Sequence, residues 1–202
     1  EIERNLLPVW QSVMKRGLDI FISILVIIFG SPFLLIIALM VKFSSKGNVF
    51  YKQERIGING KPFNILKFRS MYIDAEKAGP ALSSKNDSRI TPWGLIMRKT
   101  RIDEIPQFWN VLVGEMSIVG PRPERQFFID KILEKAPYYK HLHKVKPGIT
   151  SYGMVKFGYA ENVDEMVERL QYDVLYIENM SLAMDFRVLL YTILIILQRK
   201  GK

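Results

Sequence analysis

The sequence contains no cysteine, which excludes disulfides and thiolate metal sites and is compatible with a cytosolic setting without requiring one. Histidine is nearly as scarce. The two present form His141-x-His143, with no third ligand nearby, so ordinary histidines are favoured over a metal site. Acidic residues are in deficit: 20 Asp and Glu stand against 29 Lys and Arg, for a formal net charge of +9. That balance favours anionic partners, namely acidic lipid, nucleic acid or phosphorylated small molecules. No internal repeat or low-complexity tract is present. At 202 residues the chain can form one compact core, or a core plus an appendage. It begins at Glu1 rather than Met, so it is expected to be a piece of something longer.

Charge is also missing from Ile20 to Val41, "IFISILVIIFGSPFLLIIALMV". The run exceeds the h-region of a signal peptide, and no small-residue cleavage site follows. As one straight helix it would reach about 33 Å, enough to cross a bilayer. Two features oppose simple crossing. Gly30-Ser31-Pro32 lies mid-run, where proline removes a backbone bond and kinks a helix. Cations flank both ends, Lys15 and Arg16 before and Lys42 and Lys46 after, whereas a spanning helix usually has its Lys/Arg excess on one side. Symmetric flanks suit a helix that enters and leaves on one face. The residues alone leave re-entry and spanning open.

Residues 1–14 read as a linker carrying Pro8 and Trp10, residues 15–43 as the membrane helix, and 44–202 as a separate domain. Asn59-Gly60 is a hairpin-turn signal between β-prone stretches at about 49–56 and 62–69. Lys67 and Arg69 would share one face of the second strand. Residues 74–92, with Gly79-Pro80 and Ser83-Ser84, read as a loop. "TPWGLIMRKT" reads as a short helix begun by Thr91. A central helix is expected over 103–113, broken at Gly114, with a polar helix near 124–136. "KPGIT" reads as a turn, and "NVDEMVERLQYDVLYIENM" as an amphipathic helix. "VLLYTILIIL", followed by Gln198, Arg199, Lys200 and Lys202, is too short to span and suits a core or interfacial helix.

Asp103 and Glu104 stand between "RKTR" and Ile105-Pro106. Asp103 as an N-cap, with Pro106 in the first turn, explains one carboxylate. The surroundings suggest more. Arg98, Lys99, Arg101, Arg122 and Arg125 are close in sequence, and Arg122 is held between Pro121 and Pro123. Arginine's planar fork suits phosphate. An Asp among cations at a helix N-terminus is expected to stay ionised at neutral pH, which suits a nucleophile or a Mg²⁺ ligand. Gln107 and Asn110, a turn further on, would orient substrate or tie down the "GPRP" loop. Asp87 and Arg89 read as an ordinary surface pair.

"KRGLDI" before the apolar run, then "KQERIG", "LKFRSM", "RKTRIDEIPQFWNVLVGEMSIVGPRPE" and "KPGIT", resemble the bacterial monotopic phosphoglycosyl transferases. These are also called the bacterial sugar transferase or polyprenyl glycosylphosphotransferase family, and the likeness runs from about Lys15 to Lys200. Long members carry such a domain after an N-terminal membrane region. The resemblance implies an α+β, mainly helical fold: a proline-broken re-entrant helix, with Ser31 and Pro32 at the break, joined to a small catalytic domain with a β-hairpin and interfacial amphipathic helices. It implies residence on the cytoplasmic face of the bacterial inner membrane. The implied reaction moves a sugar phosphate from a UDP-sugar to polyprenyl phosphate, releasing UMP, through a phosphosugar ester of Asp103. Glu104 would assist, and Mg²⁺ on Asp103 would neutralise the diphosphate. Candidate substrate contacts are Arg98, Arg122, Lys67, Arg69 and Gln107. The resemblance also implies a phosphate-contacting arginine after the "PGIT" turn; "SYGMVKFGYAENV" has none, so either Lys156, the nearest cation, substitutes or that contact is made elsewhere. Membrane lipid is an expected partner, nucleic acid is not, and a homo-oligomer is left open. The rival reading is a basic membrane-attached module that holds anionic lipid or nucleic acid without chemistry. It accounts for the charge but not for an Asp-Glu pair beside Pro-Arg-Pro.

Overall fold

The first helix is built inside out by the standards of a water-soluble protein. In the computed structural model, which describes residues 6–77, 79–82 and 87–198, α1 spans Val9–Ser44. Its buried residues include the polar Asp19 and Ser23, while Ile28, Phe29, Leu35 and Phe43 are exposed. Exposed apolar and buried polar residues reverse the pattern that water imposes. By length and composition α1 is the one described helix able to cross a membrane. Residues 9–14, expected as linker, are helical, and residues 1–5 lie outside the described set.

α1 continues through Pro32, so the expected break at Ser31 and Pro32 is a lost hydrogen bond rather than a helix end. Pro32 has no N–H for the Ile28 carbonyl one turn back. The Ser31 hydroxyl donates to that carbonyl instead, at 2.8 Å.

Both ends of α1 meet the rest of the chain. Near its start, Arg16 donates to the carbonyls of Val111 and Leu112, Lys15 donates to Asp185 and to the Val119 carbonyl, and Asp19 accepts from the Ile118 amide at 3.0 Å. Lys15 and Arg16, read as lipid-flanking cations, are therefore committed to the domain. Near the other end Ile37 and Val41 pack with Phe68 and Met97.

β1 (Phe50–Ile56) and β2 (Pro62–Phe68) form an antiparallel hairpin with Tyr51 opposite Lys67 and Arg55 opposite Phe63. Asn59 and Gly60 have φ of 56° and 71°, the left-handed backbone that this turn requires. α2 (Pro92–Thr100) starts where expected, with the Thr91 side chain accepting from the Gly94 amide. α3 (Gln107–Val113) ends at Gly114, whose φ is 92°. α4 covers Gln126–Lys135, α5 Tyr152–Lys156, α6 Val163–Glu178 and α7 Leu182–Leu197. The cations after Gln198 and the Ser83-Ser84 pair lie outside the described residues.

"KPGIT" is not simply a turn. β3 (Ser117–Val119) and β4 (Gly148–Thr150) pair in parallel. The pairing continues into the proline-rich loop, where Gly148 donates to the Pro121 carbonyl at 2.9 Å. A Cβ on Gly148 would stand 2.1 Å from the Gly120 nitrogen, so the two backbones can lie this close only because side chains are absent. The main core gathers around Met116, Ile129, Ile132, Met166, Tyr176 and Val188. It is a mainly helical α+β arrangement, as expected.

Candidate functional site

Arg101 ends α2 in the left-handed conformation, with φ of 56°. The chain then makes a single 3-10 turn over Ile102–Glu104 before Pro106 precedes α3. That turn, not a helix start, aims both carboxylates inward. Asp103 and Glu104 are 7% and 6% exposed. Asp103 is therefore not the N-cap of α3, which begins after Pro106 without a side-chain cap.

Asn110 fixes the turn against the hairpin. Its side chain accepts from the Leu66 amide at 3.0 Å and donates to the Asn64 carbonyl at 2.8 Å. It ties α3 to β2 rather than to the "GPRP" loop, and so holds Glu104 against Lys67. Lys67 Nζ donates to Glu104 Oε1 at 2.7 Å, while Arg122 and Arg101 approach Glu104 at 3.8 and 3.7 Å. Both guanidinium groups also lie over the Tyr159 ring, Arg101 at 5.1 Å and Arg122 at 5.6 Å from its centroid. The backbone of Arg122 is held from behind by Asp173 of α6, which also accepts from the Gly153 amide at 2.9 Å.

The two carboxylates differ sharply in charge state. Burial works to raise Glu104, but Lys67, Arg122 and Arg101 outweigh it and hold the group well below the usual carboxylate range. Burial and the neighbouring Glu104 charge push Asp103 up to about 6, with Lys67 and Arg98 opposing. Asp103 is thus ionised at neutral pH, as expected, yet close to titration, because the cations chiefly serve its neighbour. Among the described residues Asp103 forms no ion pair within 4.0 Å. Its carboxylate is bonded by its own backbone amide and carries no salt bridge.

Asp103, Glu104, Lys67, Arg98, Arg122 and Arg69 line one cavity of about 460 Å³. Arg98 Nε donates to Ser70 Oγ at 2.9 Å. Gln107 is buried at the start of α3 and does not line the cavity. Lys156 is absent from the lining as well; its ammonium lies 4.2 Å from the Tyr191 ring centroid, on aromatic surface instead of at the cavity. Arg89, read as a surface residue, pairs with Asp87 at 2.6 Å, donates to the Ala75 and Leu82 carbonyls, and reaches the cavity wall.

The sequence reading passed over three members of this wall. Arg55 and Arg169 both bond Glu124, at 3.0 and 2.6 Å, and all three line the cavity. Two signals were available. Tyr51, Gln53 and Arg55 alternate on the strand face that the hairpin register sets beside Lys67. In α6, Arg169 and Asp173 follow Met166 at helical core spacing, so they are charges where an apolar residue would stand.

Among the described residues no three His, Cys, Asp or Glu side chains form a metal cage. The donor set still suits Mg²⁺, which commonly takes one or two carboxylates and completes its shell with water and substrate phosphate oxygens. Asp103, without a salt bridge among the described residues, can offer an oxygen for that.

The family profile for bacterial sugar transferases matches residues 10–199. The chain is 41% identical over 194 residues to a UDP-N-acetylgalactosamine-undecaprenyl-phosphate N-acetylgalactosaminephosphotransferase of Aeromonas hydrophila, covering 96% of this chain and 46% of that protein. It is 41% identical over 183 residues to a UDP-glucose:undecaprenyl-phosphate glucose-1-phosphate transferase of Klebsiella pneumoniae, covering 90% and 39%. The chain therefore spans less than half of these two relatives. The exopolysaccharide production protein PSS of Rhizobium leguminosarum bv. phaseoli is 39% identical over 187 residues, with 90% and 94% covered. The chain belongs to the bacterial sugar transferase family.

Proposed function

We propose that this chain transfers a sugar 1-phosphate from a UDP-sugar to polyprenyl phosphate, in two displacements at Asp103. The observation that carries the reading is the unpaired Asp103 carboxylate, raised to about 6 and set in a cation-lined cavity. A carboxylate held near neutral pKa without a salt bridge is a better nucleophile than a paired one. In the first step an Asp103 oxygen bonds the phosphorus next to the sugar, and the bond to UMP breaks. Lys67, Arg98 and Arg122 line the cavity and are placed to take the charge spreading onto the phosphate oxygens. Mg²⁺ held by Asp103 and the diphosphate would supply further neutralisation. In the second step the lipid phosphate displaces the sugar phosphate from Asp103. Splitting the transfer this way lets one site serve a water-borne donor and a membrane-borne acceptor in turn.

The position of α1 supports a one-faced membrane attachment. Lys15, Arg16 and Asp19 before the apolar run and Ile37 and Val41 late in it touch the same domain, whereas a crossing helix would carry one of these ends to the far side. Exposed Ile96, Trp109 and Val113 on α2 and α3, with Phe186, Leu190 and Leu197 on α7, extend the apolar surface, as interfacial helices would. We place the domain at the cytoplasmic face of the inner membrane. The binding-module alternative leaves a buried, unpaired, near-neutral carboxylate unexplained, since burying one without use weakens the fold.

The test is UMP release from a panel of UDP-sugars with Mg²⁺ and polyprenyl phosphate, followed by peptide mapping after trapping with labelled donor. The reading expects label on the peptide holding Asp103. Label confined to another peptide, or UMP release with no labelled protein, refutes the two-step route.

A further inference from the structure

One cation in the cavity has donors without acceptors. Arg69 is 7% exposed, and its Nη2 donates to the carbonyls of Ser45 and Val41 at the end of α1, at 2.6 and 3.4 Å. Its Nε and Nη1 are buried and have no hydrogen-bond partner among the described residues. A buried guanidinium with idle N–H groups is strongly disfavoured unless a ligand fills the gap. Gly47 makes room for the guanidinium itself. Gly47 has φ of +120°, and a Cβ there would stand 2.2 Å from Arg69 Nη1 and 2.5 Å from Ile73 Cδ1. Helix capping accounts for Nη2 alone.

The surroundings indicate what the ligand is. Arg69 lines the cavity together with Gly47, Ser70, Ile73 and Arg98. Arg98 bonds Ser70, next in sequence to Arg69, and its charge acts on Asp103. The residues therefore run from the end of α1 through Arg69 and Ser70 to Arg98, whose charge reaches Asp103. The rim is apolar: Phe50, Tyr72 and Ile73 are 49%, 47% and 67% exposed. Phe50 stacks on Phe68 at 5.3 Å between centroids, and Phe68 packs on Ile37 and Val41 of the membrane helix. An anion site with an apolar approach from the membrane helix fits a phosphate monoester on a hydrocarbon chain.

We propose that Arg69, with Arg98 beside it, binds the phosphate of the acceptor lipid, separately from the cations around Glu104 that face the donor diphosphate. This rests on the transfer reading above. An idle guanidinium N–H of Arg69 can donate a charge-assisted bond to a phosphate oxygen, and the chain follows the Phe50–Ile73 rim toward the bilayer. Another phosphate oxygen bonds the phosphorus carried on Asp103. The bond from that phosphorus to the carboxylate breaks, the electron pair returns to Asp103, and the sugar leaves on a lipid diphosphate.

The two half-reactions separate this role from a structural one. With the full chain in lipid nanodiscs, Arg69→Gln should retain the donor-dependent burst of UMP in the absence of acceptor. Its KM for polyprenyl phosphate should rise about tenfold or more, while the donor KM holds. Arg69→Lys keeps a cation for the α1 carbonyls and should show the same split in milder form. If burst and acceptor step fall together in both variants, or the acceptor KM is unchanged, Arg69 is only a cap and the proposal is wrong. Binding of farnesyl phosphate without donor is a second arm, with inorganic phosphate as the comparison. Arg69→Gln should weaken the farnesyl phosphate by about tenfold or more; equal binding overturns the assignment whatever the burst shows. Binding lost for inorganic phosphate but kept for farnesyl phosphate also overturns it, by making the site one for a free anion. A wild-type protein that binds farnesyl phosphate through Arg69 yet gives no burst with any UDP-sugar would refute the two-step reading and leave the lipid phosphate site standing.

Discussion

Two clusters of buried charge line one cavity, and they are finished to different degrees. Glu124 accepts from Arg55 at 3.0 Å and from Arg169 at 2.6 Å, and Arg55 is further held by Gln53 at 2.6 Å and the Pro123 carbonyl at 3.0 Å. That network is closed by short bonds. Around Glu104 one contact is short, 2.7 Å to Lys67, and two are loose, 3.7 and 3.8 Å to Arg101 and Arg122. Asp103 beside it has no ion pair among the described residues, and Arg98 adds a further cation. Four cations against two carboxylates leave positive charge for a ligand to meet. Buried charge that is fully bonded specifies a shape; buried charge left partly unbonded is held ready for a substrate.

The sharpest way to break this contrast is at Asp103. Asp103→Asn should reduce turnover by about 10⁴-fold or more, as loss of a nucleophile does. It should also not destabilise the fold. The folded pKa of about 6 lies above the ordinary 3.8, so the folded state favours the protonated form. The stability that Asp103 contributes is present below about pH 4 and is lost as pH rises through 6. Asparagine resembles the neutral form, so the melting temperature at pH 7 should rise or hold. A clear fall would place Asp103 in a closed network after all.

Next comes a pair of variants read by urea unfolding. Glu124→Gln should cost about 3 kcal/mol or more, because two buried arginines lose their shared anion and cannot shed their charge. Glu104→Gln should cost less, although Glu104 is as buried. Its short-contact partner is a lysine that burial already pushes down, and a lysine can release its proton when its anion is removed. If Glu104→Gln proves the more damaging of the two, the distinction between closed and open clusters fails.

Much of this site was legible where chemistry is local. The Asn59-Gly60 turn, the Thr91 cap and the Gly114 stop are decided by residues within one turn, and the expected elements follow. Asp103, Glu104 and Arg122 stood out because their charges crowd a short stretch around rigid prolines. What escaped notice depends on contacts across the chain. "KPGIT" has turn residues, but Gly148 is there for close approach to Gly120 in a parallel pair, a tertiary need that local preference does not report. Arg55 and Arg169 are 114 positions apart and meet only through Glu124. Lys15 and Arg16 resembled a membrane-flanking signal because sequence shows their charge and not the Val111 carbonyl or the Asp185 carboxylate that takes them.

A smaller effect should come from pH alone. With Asp103 as the proposed nucleophile, only its ionised form would attack phosphorus, so the single-turnover rate of UMP release should climb about tenfold per pH unit below 6 and level above it. Glu104, held far lower, should add no limb in that range. A flat profile from pH 5 to 8 would mean that Asp103 is paired as tightly as its neighbour.

The smallest effect is expected at Lys156, and the reason is geometric. Charge and position alone made it a candidate to replace the arginine that the family resemblance implies after the "PGIT" turn. Yet α5 ends with Lys156 exposed, its ammonium 4.2 Å from the Tyr191 ring centroid and 5.9 Å from that of Tyr152. A cation lying on ring faces contributes about 0.5–1 kcal/mol at an exposed site, and the cavity lacks it. Lys156→Met should therefore change the donor KM by less than about threefold. Should Lys156→Met raise the donor KM by much more than threefold, the ammonium must leave the rings when substrate arrives and join the open cluster's cations.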